Sequence, residues 1–298
     1  MNAQWVLVAT LGLAVVAMLG LRVRPARARA VPTGSPVGTV ELARNLPEPV
    51  VRYYRALGYD GWHVPAVGTF VLWGRAWMHP APLLRLPVRF WSAHRVGWNA
   101  RQRLTVTWYG LPVLRAVDDY VDGRGRMRIG RRSVTGPEID QGENLFLWAE
   151  LLLVPAALAA RREARWQSID TDSALLRVPF GRDSDRLMVR FDPDTGLLTE
   201  CRALRYRTPG GPKVGWYVWF ERWTHGPGGW YPARISVRWA DQPQPWFVLD
   251  VDGMAVNVPI DPDLKVGSPG QDTSDGPTSS VPSTAALDVR EPTGRGAR

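Results

Sequence analysis

Hydrophobic and polar positions divide the chain into three regimes. From Trp5 to Leu21 (WVLVATLGLAVVAMLGL) no position is charged, and Arg22, Arg24, Arg27 and Arg29 follow at once. From about residue 46 to residue 262, short segments alternate apolar and polar positions with period two, the signature of half-buried strands. After about Asp263 the chain is polar and rich in Pro, Gly, Ser and Thr, with no periodicity. Such a segment buries too little to offset its ordering entropy, so residues 263–298 are expected to be a disordered tail.

Eleven segments read as strands: Thr69–Met78, Val88–Asn99, Arg103–Tyr109, Val113–Val121, Arg126–Arg131, Trp166–Val178, Arg186–Phe191, Leu197–Tyr206, Val214–Trp223, Ala233–Trp239 and Trp246–Val251. Leu104, Val106 and Trp108 oppose Thr105, Thr107 and Tyr109; Ile235, Val237 and Trp239 oppose Arg234, Ser236 and Arg238. Asp192-Pro193-Asp194-Thr195-Gly196 has the composition of a hairpin turn closed by a left-handed glycine. Two strands are apolar on both faces: Trp216, Val218 and Phe220 oppose Tyr217, Trp219 and Trp223, and Phe70 and Leu72 oppose Val71, Trp73 and Trp77. Both faces of these strands must be covered, by a helix or by an apolar groove.

Two helices complete the domain. Leu46–Leu57 is short, with Pro47 and Pro49 in its first turn, Val50, Val51, Tyr54 and Leu57 on one face and Gly58 at its end. Glu143 to Leu153, continuing past Pro155 to about Ala160, is apolar all round except for Glu150, which predicts a buried helix. It is too short to cross a bilayer. Pro155 kinks it or starts a second helix.

The opening run, at about 1.5 Å per residue, is at the short end of what spans a hydrocarbon layer about 30 Å thick. Trp5 suits one interface and the arginines the other. Ala28-Arg29-Ala30 resembles a signal-peptidase site, but Met1–Gln4 has no basic side chain, so the run favours an uncleaved anchor. We therefore expect an anchor over residues 1–21, a basic Pro/Gly linker over 22–45, a β domain over 46–262 and the tail. Basic residues on the C-terminal flank place that flank in the cytoplasm by the positive-inside rule, for a single-pass protein of the cell membrane.

Composition changes this picture little. The net charge of +9 comes from arginine, with Lys213 and Lys265 the only lysines. The arginines are spread over many strands, so no nucleic-acid partner is expected; attraction to anionic headgroups near the anchor fits better. A single cysteine, Cys201, excludes an internal disulfide and any Cys-based metal site.

Motifs for chemistry are sparse. Glu150 is a carboxylate in an apolar helix, costly to ionise unless paired, and is read either as a structural pair with an arginine from a strand or as an acid or base at a site. Asp118 and Asp119 are strand neighbours whose side chains point to opposite faces, so they do not form a paired-carboxylate site. His63, His79, His94 and His225 are scattered without metal-ligand spacing, and there is no GxSxG, P-loop or GxGxxG. No cofactor, metal or catalytic set is expected, and the protein is not read as an enzyme. The fifteen tryptophans either fill the core of a large sheet or line a cavity for an apolar ligand.

The segment Trp108–Arg131 (WYGLPVLRAVDDYVDGRGRMRIGR) and the run GPEIDQGENLFLWAELLLVPAAL at 136–158 resemble the DUF6544 family of bacterial proteins. LPEPVVRYYRALG at 46–58, GGWYPARISVRWA and FVLDVDGMAVNVPID extend the resemblance over roughly residues 45–262. Asp119, Gly123, Gly125 and the Glu150–Pro155 stretch are its most specific pieces. The family pattern is in turn similar to the lipoprotein-carrier architecture of the LolA and LppX type. That similarity implies a hydrophobic groove and an export that the charge flank does not, which leaves the side of the membrane open. Taken together, the expected fold is α+β and mostly β: a large, curved, half-barrel-like antiparallel sheet of ten or eleven strands with a buried kinked helix, preceded by one transmembrane helix. The expected function is binding of a hydrophobic or lipidic ligand, contacted by Trp148, Glu150, Trp216, Phe220 and Trp73. Asp119, Gly123, Gly125 and Pro155 have structural roles in that expectation. The alternatives are a protein-interaction scaffold whose partners are unknown and an enzyme using Glu150.

Overall fold

A computed structural model describes residues 3–96 and 99–260, without the side chains at positions 3, 7, 9, 11 and 14. The expected tail lies outside the described residues. Four helices, α1 (Ala3–Arg22), α2 (Glu48–Ala56), α3 (Pro137–Leu151) and α4 (Pro155–Ala159), accompany fifteen strands. These are β1 (Thr39–Glu41), β2 (His63–Pro65), β3 (Thr69–Ala81), β4 (Leu84–Arg95), β5 (Asn99–Trp108), β6 (Leu111–Val121), β7 (Arg124–Ile129) and β8 (Arg132–Thr135), then β9 (Arg165–Ser168), β10 (Ser173–Phe180), β11 (Asp183–Phe191), β12 (Leu198–Tyr206), β13 (Lys213–Gly226), β14 (Gly229–Trp239) and β15 (Phe247–Val256).

Thirteen of the strands form one continuous antiparallel sheet in the order β8-β7-β6-β5-β4-β3-β15-β14-β13-β12-β11-β10-β9, open at β8 and β9. The expected ten or eleven strands are thus two or three too few. Gly130, at φ +57°, turns the chain after β7 and adds the short strand β8. A bend around Asp170, whose carboxylate accepts the Asp172 N–H at 2.9 Å, divides the expected Trp166–Val178 strand into β9 and β10. The turn at Asp192–Gly196 forms as expected. Asp192 Oδ1 accepts the Thr195 N–H at 2.8 Å and Gly196 has φ +72°.

Helix α3 shows how the sheet bends. Its Asp140 accepts the Gly125 N–H of β7 at 2.7 Å, and its neighbour Gln141 accepts the Tyr206 N–H of β12 at 3.2 Å. Strands β7 and β12 are eight steps apart in the sheet, about 38 Å if it lay flat at about 4.8 Å per step. A helix is only about 10–12 Å across. The sheet therefore curls its two arms around α3. The main core fills that inner side: Phe70, Leu72, Phe90, Trp216, Val218 and Phe220 from the strands meet Leu145, Leu151, Leu153 and Leu158 from the helices. Helix α2 seals the core from one end. Tyr53 donates to the Leu152 carbonyl at 2.8 Å and Tyr54 to the Pro155 carbonyl at 2.7 Å, satisfying carbonyls at the junction of α3 and α4.

The outer face of the central strands carries a second, smaller core of Val71, Trp73, Trp91, Ala93, Ala255 and Val258, against which Val31 and Ile260 pack. The basic segment after α1 covers it. Arg24 donates to Asp250 at 2.6 Å and to the Arg75 carbonyl at 3.2 Å, Arg27 pairs with Asp252 at 3.3 Å, and Gly34 N–H donates to Val256 O at 2.9 Å. Within the expected linker, β1 also pairs with β2. Helix α1 is 20 residues long and is held at its C-terminal end, where Trp108 donates to Ala17 O at 3.0 Å and Tyr109 N–H to Gly20 O at 2.9 Å. Among the described residues no helix is long and apolar enough to cross a membrane.

Candidate functional site

From Asp140 to Asn144, α3 is buried and, apart from Gly142, carries only polar side chains. Asn144 donates to Pro179 O at 3.2 Å and accepts from Tyr120 at 3.1 Å and Trp148 Nε1 at 3.2 Å. Gln141 donates to Asp185 at 3.0 Å and to Leu204 O at 2.9 Å. These bonds stitch the helix to both arms of the sheet. They leave a cleft of about 230 Å³ between the helix and the inner wall, lined by apolar groups including Phe90, Leu104, Val237, Trp239, Trp246 and Phe247.

Three charged side chains form the polar floor of this cleft: Asp118, Glu143 and Arg205. Arg205 is buried, 3.5 Å from Glu143, with its guanidinium 5.1 Å from the Trp216 ring centre and 5.9 Å from those of Phe146 and Trp239. Gly142 makes room for it, since a Cβ there would lie 3.0 Å from Arg205 Nε. Burial pushes the Glu143 carboxyl up to about 8, reinforced by Asp118 and partly opposed by Arg205. Burial also raises Asp118 to about 6, opposed by Arg205. Burial lowers Arg205, and the two carboxylates oppose that shift. Near neutral pH the floor thus holds a guanidinium, an ionised Asp118 and a Glu143 that keeps its proton. Arg205 Nε, Trp246 Nε1 and Asp118 Oδ1 are buried without a hydrogen-bond partner. A buried donor without a partner costs about 1–3 kcal/mol, so these atoms favour a polar guest beside the apolar walls.

The residues expected to bind a ligand are not all brought together. Glu150, Trp216 and Phe220 line a second, smaller apolar space of about 30 Å³ that adjoins the cleft through Phe90, Phe146, Val237 and Phe247. Trp148 is buried on another side of α3, bonded to Asn144. Trp73 lies on the outer face, 5.8 Å from Trp91 in a stacked pair, and has no part in the inner wall. Glu150 pairs with His94 of β4 and accepts from Ser92 at 2.5 Å, instead of meeting an arginine. Ser92 and Glu150 both meet the same imidazole nitrogen, Nε2, while Nδ1 has no partner. A Ser-His-acid relay needs the two ring nitrogens to serve different partners. With all three side chains buried, the set is a packing element.

The structural residues have identifiable tasks. Asp119 accepts from Arg101 and, at 3.0 Å, from Arg128, tying β5, β6 and β7 together. Gly123, at φ +78°, turns the chain between β6 and β7. Gly125 allows close approach of α3, because a Cβ there would lie 2.7 Å from the Ile139 carbonyl oxygen. Pro155 opens α4. Among the described residues no group of three or more His, Cys, Asp or Glu is placed to hold a metal ion.

Arg205 and Glu143 were not among the residues expected from the sequence. A signal was present for Arg205: in Cys201-Arg202-Ala203-Leu204-Arg205 it falls in the inward phase of the strand, with Leu204 outward.

The chain belongs to DUF6544, a family of unknown function, whose model matches residues 36–249. No curated protein matches it. Among solved structures, it is similar to a DUF1329 family protein from Desulfovibrio piger, at 10% identity and a TM-score of 0.42, over 72% of this chain and 93% of that one. It is similar to an outer membrane lipoprotein-sorting protein domain from Vibrio parahaemolyticus, at 10% identity and a TM-score of 0.41, over 72% of this chain and 92% of that one. A LolA superfamily protein from Nitrosomonas europaea matches at 11% identity and a TM-score of 0.39, over 65% of this chain and 88% of that one.

Proposed function

We propose that this member of the DUF6544 family is a membrane-anchored protein that binds a small lipidic amphiphile in the cleft beside α3. The observation that carries the reading is the pairing of apolar walls with a polar floor, in which Arg205 Nε and, from the wall, Trp246 Nε1 have no partner. An acyl chain would lie along Phe90, Leu104, Val237 and Phe247. A hydrogen-bond-accepting head would meet Arg205 Nε and Trp246 Nε1. The volume of about 230 Å³ lies just below the usual range for small-molecule sites, which suits one short chain rather than a multi-chain lipid. Glu150, Trp216 and Phe220 would support the inner end of the site from the adjoining space.

The anchored state is part of the same proposal. What supports it is the sequence: no position from Trp5 to Leu21 is charged, and Arg22 follows at once. In this reading the apolar run up to residue 21 lies in lipid, 22–45 strap the outer face and 46–260 form the binding domain. The arginine flank orients the domain toward the cytoplasm of a single-pass protein.

Native mass spectrometry of the full-length protein released from mild detergent, with solvent extraction of the same sample, tests the binding. An added mass that extracts as an amphiphile is expected, and Val237→Phe, which fills the cleft, should abolish it. Full retention in that variant sinks the assignment of the cleft.

A further inference from the structure

Three hairpin turns crowd at one end of the sheet. The β3–β4 turn follows Ala81, the β5–β6 turn follows Trp108 and the β7–β8 turn follows Ile129, and the antiparallel order puts all three on the same side. They are tied together: Arg89 Nη2 donates to Gly110 O at 3.1 Å, and Gly130 N–H to Arg115 O at 3.0 Å. Their apolar side chains face outward. Leu83 is wholly exposed, Leu111 two-thirds exposed, and Tyr109, Val113, Leu114 and Ile129 are exposed beside them. Single exposed leucines are ordinary, but a contiguous set is not.

Two further observations say what covers this end. Segments 81–89, 107–116 and 128–134 contain Arg85, Arg89, Arg115, Arg128, Arg131 and Arg132 and no carboxylate. Apolar tips ringed by arginines complement an anionic lipid surface. Helix α1 is rooted on the same β5–β6 turn, through Trp108 to Ala17 O, Tyr109 N–H to Gly20 O and Tyr109 OH to Val16 O at 3.1 Å. Trp5, Leu13 and Met18 on that helix are exposed.

We propose that the β3–β4, β5–β6 and β7–β8 turns dock on the bilayer surface beside the emerging helix, with Leu83 and Leu111 inserted among the lipids. The inference rests on the anchored reading of α1. It also gives the cleft an entrance: Arg207, Trp239 and Trp246 line it where β12 and β14 end and β15 begins, the end of the sheet that carries the docked turns. An amphiphile would pass between bilayer and cleft without crossing open water.

The test uses the full chain in vesicles of phosphatidylcholine and phosphatidylglycerol, with a nitroxide label on Leu83→Cys, Leu111→Cys, Leu13→Cys or Thr195→Cys. Cys201 is fully buried and stays unlabelled. Thr195 lies in the turn between β11 and β12, at the opposite end of the sheet. Oxygen is expected to relax the labels at 83, 111 and 13 more than a water-soluble nickel chelate does, with the order reversed at 195. Labels at 83 and 111 that behave like 195, with 13 still in lipid, overturn the docking and leave the anchor standing. A label at 13 that reads water overturns both.

Discussion

The Arg205 guanidinium on β12 stands 3.5 Å from the Glu143 carboxyl on α3, under three aromatic rings. This contact joins the helix to one arm of the sheet at the floor of the cleft. Burying a charge is costly, and the cost is reduced here by raising Glu143 to about 8 so that it stays protonated near neutrality. The floor then offers a guest a guanidinium, the Asp118 carboxylate that opposes its charge, and a neutral acid.

A pH dependence follows from the Glu143 shift. Its ordinary value is 4.5, and the folded value is about 8. Between these values the folded state holds a proton that the unfolded state has lost, so stability falls as pH rises through that window. Below it both states are protonated, and above it both are ionised. Asp118, raised to about 6, adds a slope of the same sign at the acid end. Thermal midpoints from about pH 5 to about pH 8 should decline in the natural protein and decline less in Glu143→Gln. Parallel profiles for the two proteins would show that Glu143 does not titrate in this window.

The Ser92–His94–Glu150 set makes a prediction about stability. Glu150→Ala leaves His94 and Ser92 buried without their acceptor and should cost about 3 kcal/mol. Glu150→Gln keeps an acceptor and should cost about 1 kcal/mol. Urea unfolding at constant m-value measures both. Ligand retention should survive the Gln change, because Glu150 borders the small inner space and not the cleft floor. Loss of ligand from a stable Glu150→Gln protein would move the site deeper.

Much of the sheet is legible in the chain because period-two alternation reports which face is wet. The turn at Asp192–Gly196 is legible because its side-chain acceptor and left-handed glycine are local. The beginning of α3 is not. Pro137 to Gly142 lies ahead of the helix expected from Glu143, yet Asp140, Gln141 and Gly142 are buried and helical because β7, β11 and β12 supply hydrogen-bond partners. Those partners lie far away in sequence. The partner of Glu150 is hidden for the same reason, since His94 sits 56 residues upstream without a motif around it. Trp73, expected at the ligand, lies on the outer face, because a strand apolar on both faces does not say which face meets the helix. Its partners, Val31 and Val258, come from flanking segments with no periodicity of their own.

Gly125 is a point of close approach between α3 and the sheet. A methyl group there would press on the Ile139 carbonyl and the Asp140 N–H, at 2.7 and 3.0 Å. Gly125→Ala should therefore cost about 1–3 kcal/mol by displacing the start of α3. Gly123→Ala meets no neighbour but forces a side chain into φ +78°, at about 1 kcal/mol. Equal, negligible effects in chemical unfolding would show that α3 does not bear on β7 as closely as the geometry requires.

The strap over the outer face makes the last prediction. Asp250 accepts from Arg24 at 2.6 Å and Arg234 at 3.1 Å, and Asp252 accepts from Arg75 at 2.9 Å with Arg27 nearby. These pairs are partly exposed and individually worth little, but together they hold a segment in which Arg22, Arg27 and Arg29 are trypsin sites, Arg24 being followed by Pro25. Asp250→Asn combined with Asp252→Asn leaves every arginine in place and loosens the strap by about 1.4 kcal/mol, which is about tenfold in the open population. Trypsin should then cut between α1 and the domain about tenfold faster in detergent, releasing a domain that stays folded. An unchanged rate would place the holding force in the apolar contacts of Val31 and in the Gly34 N–H bond to Val256 O instead.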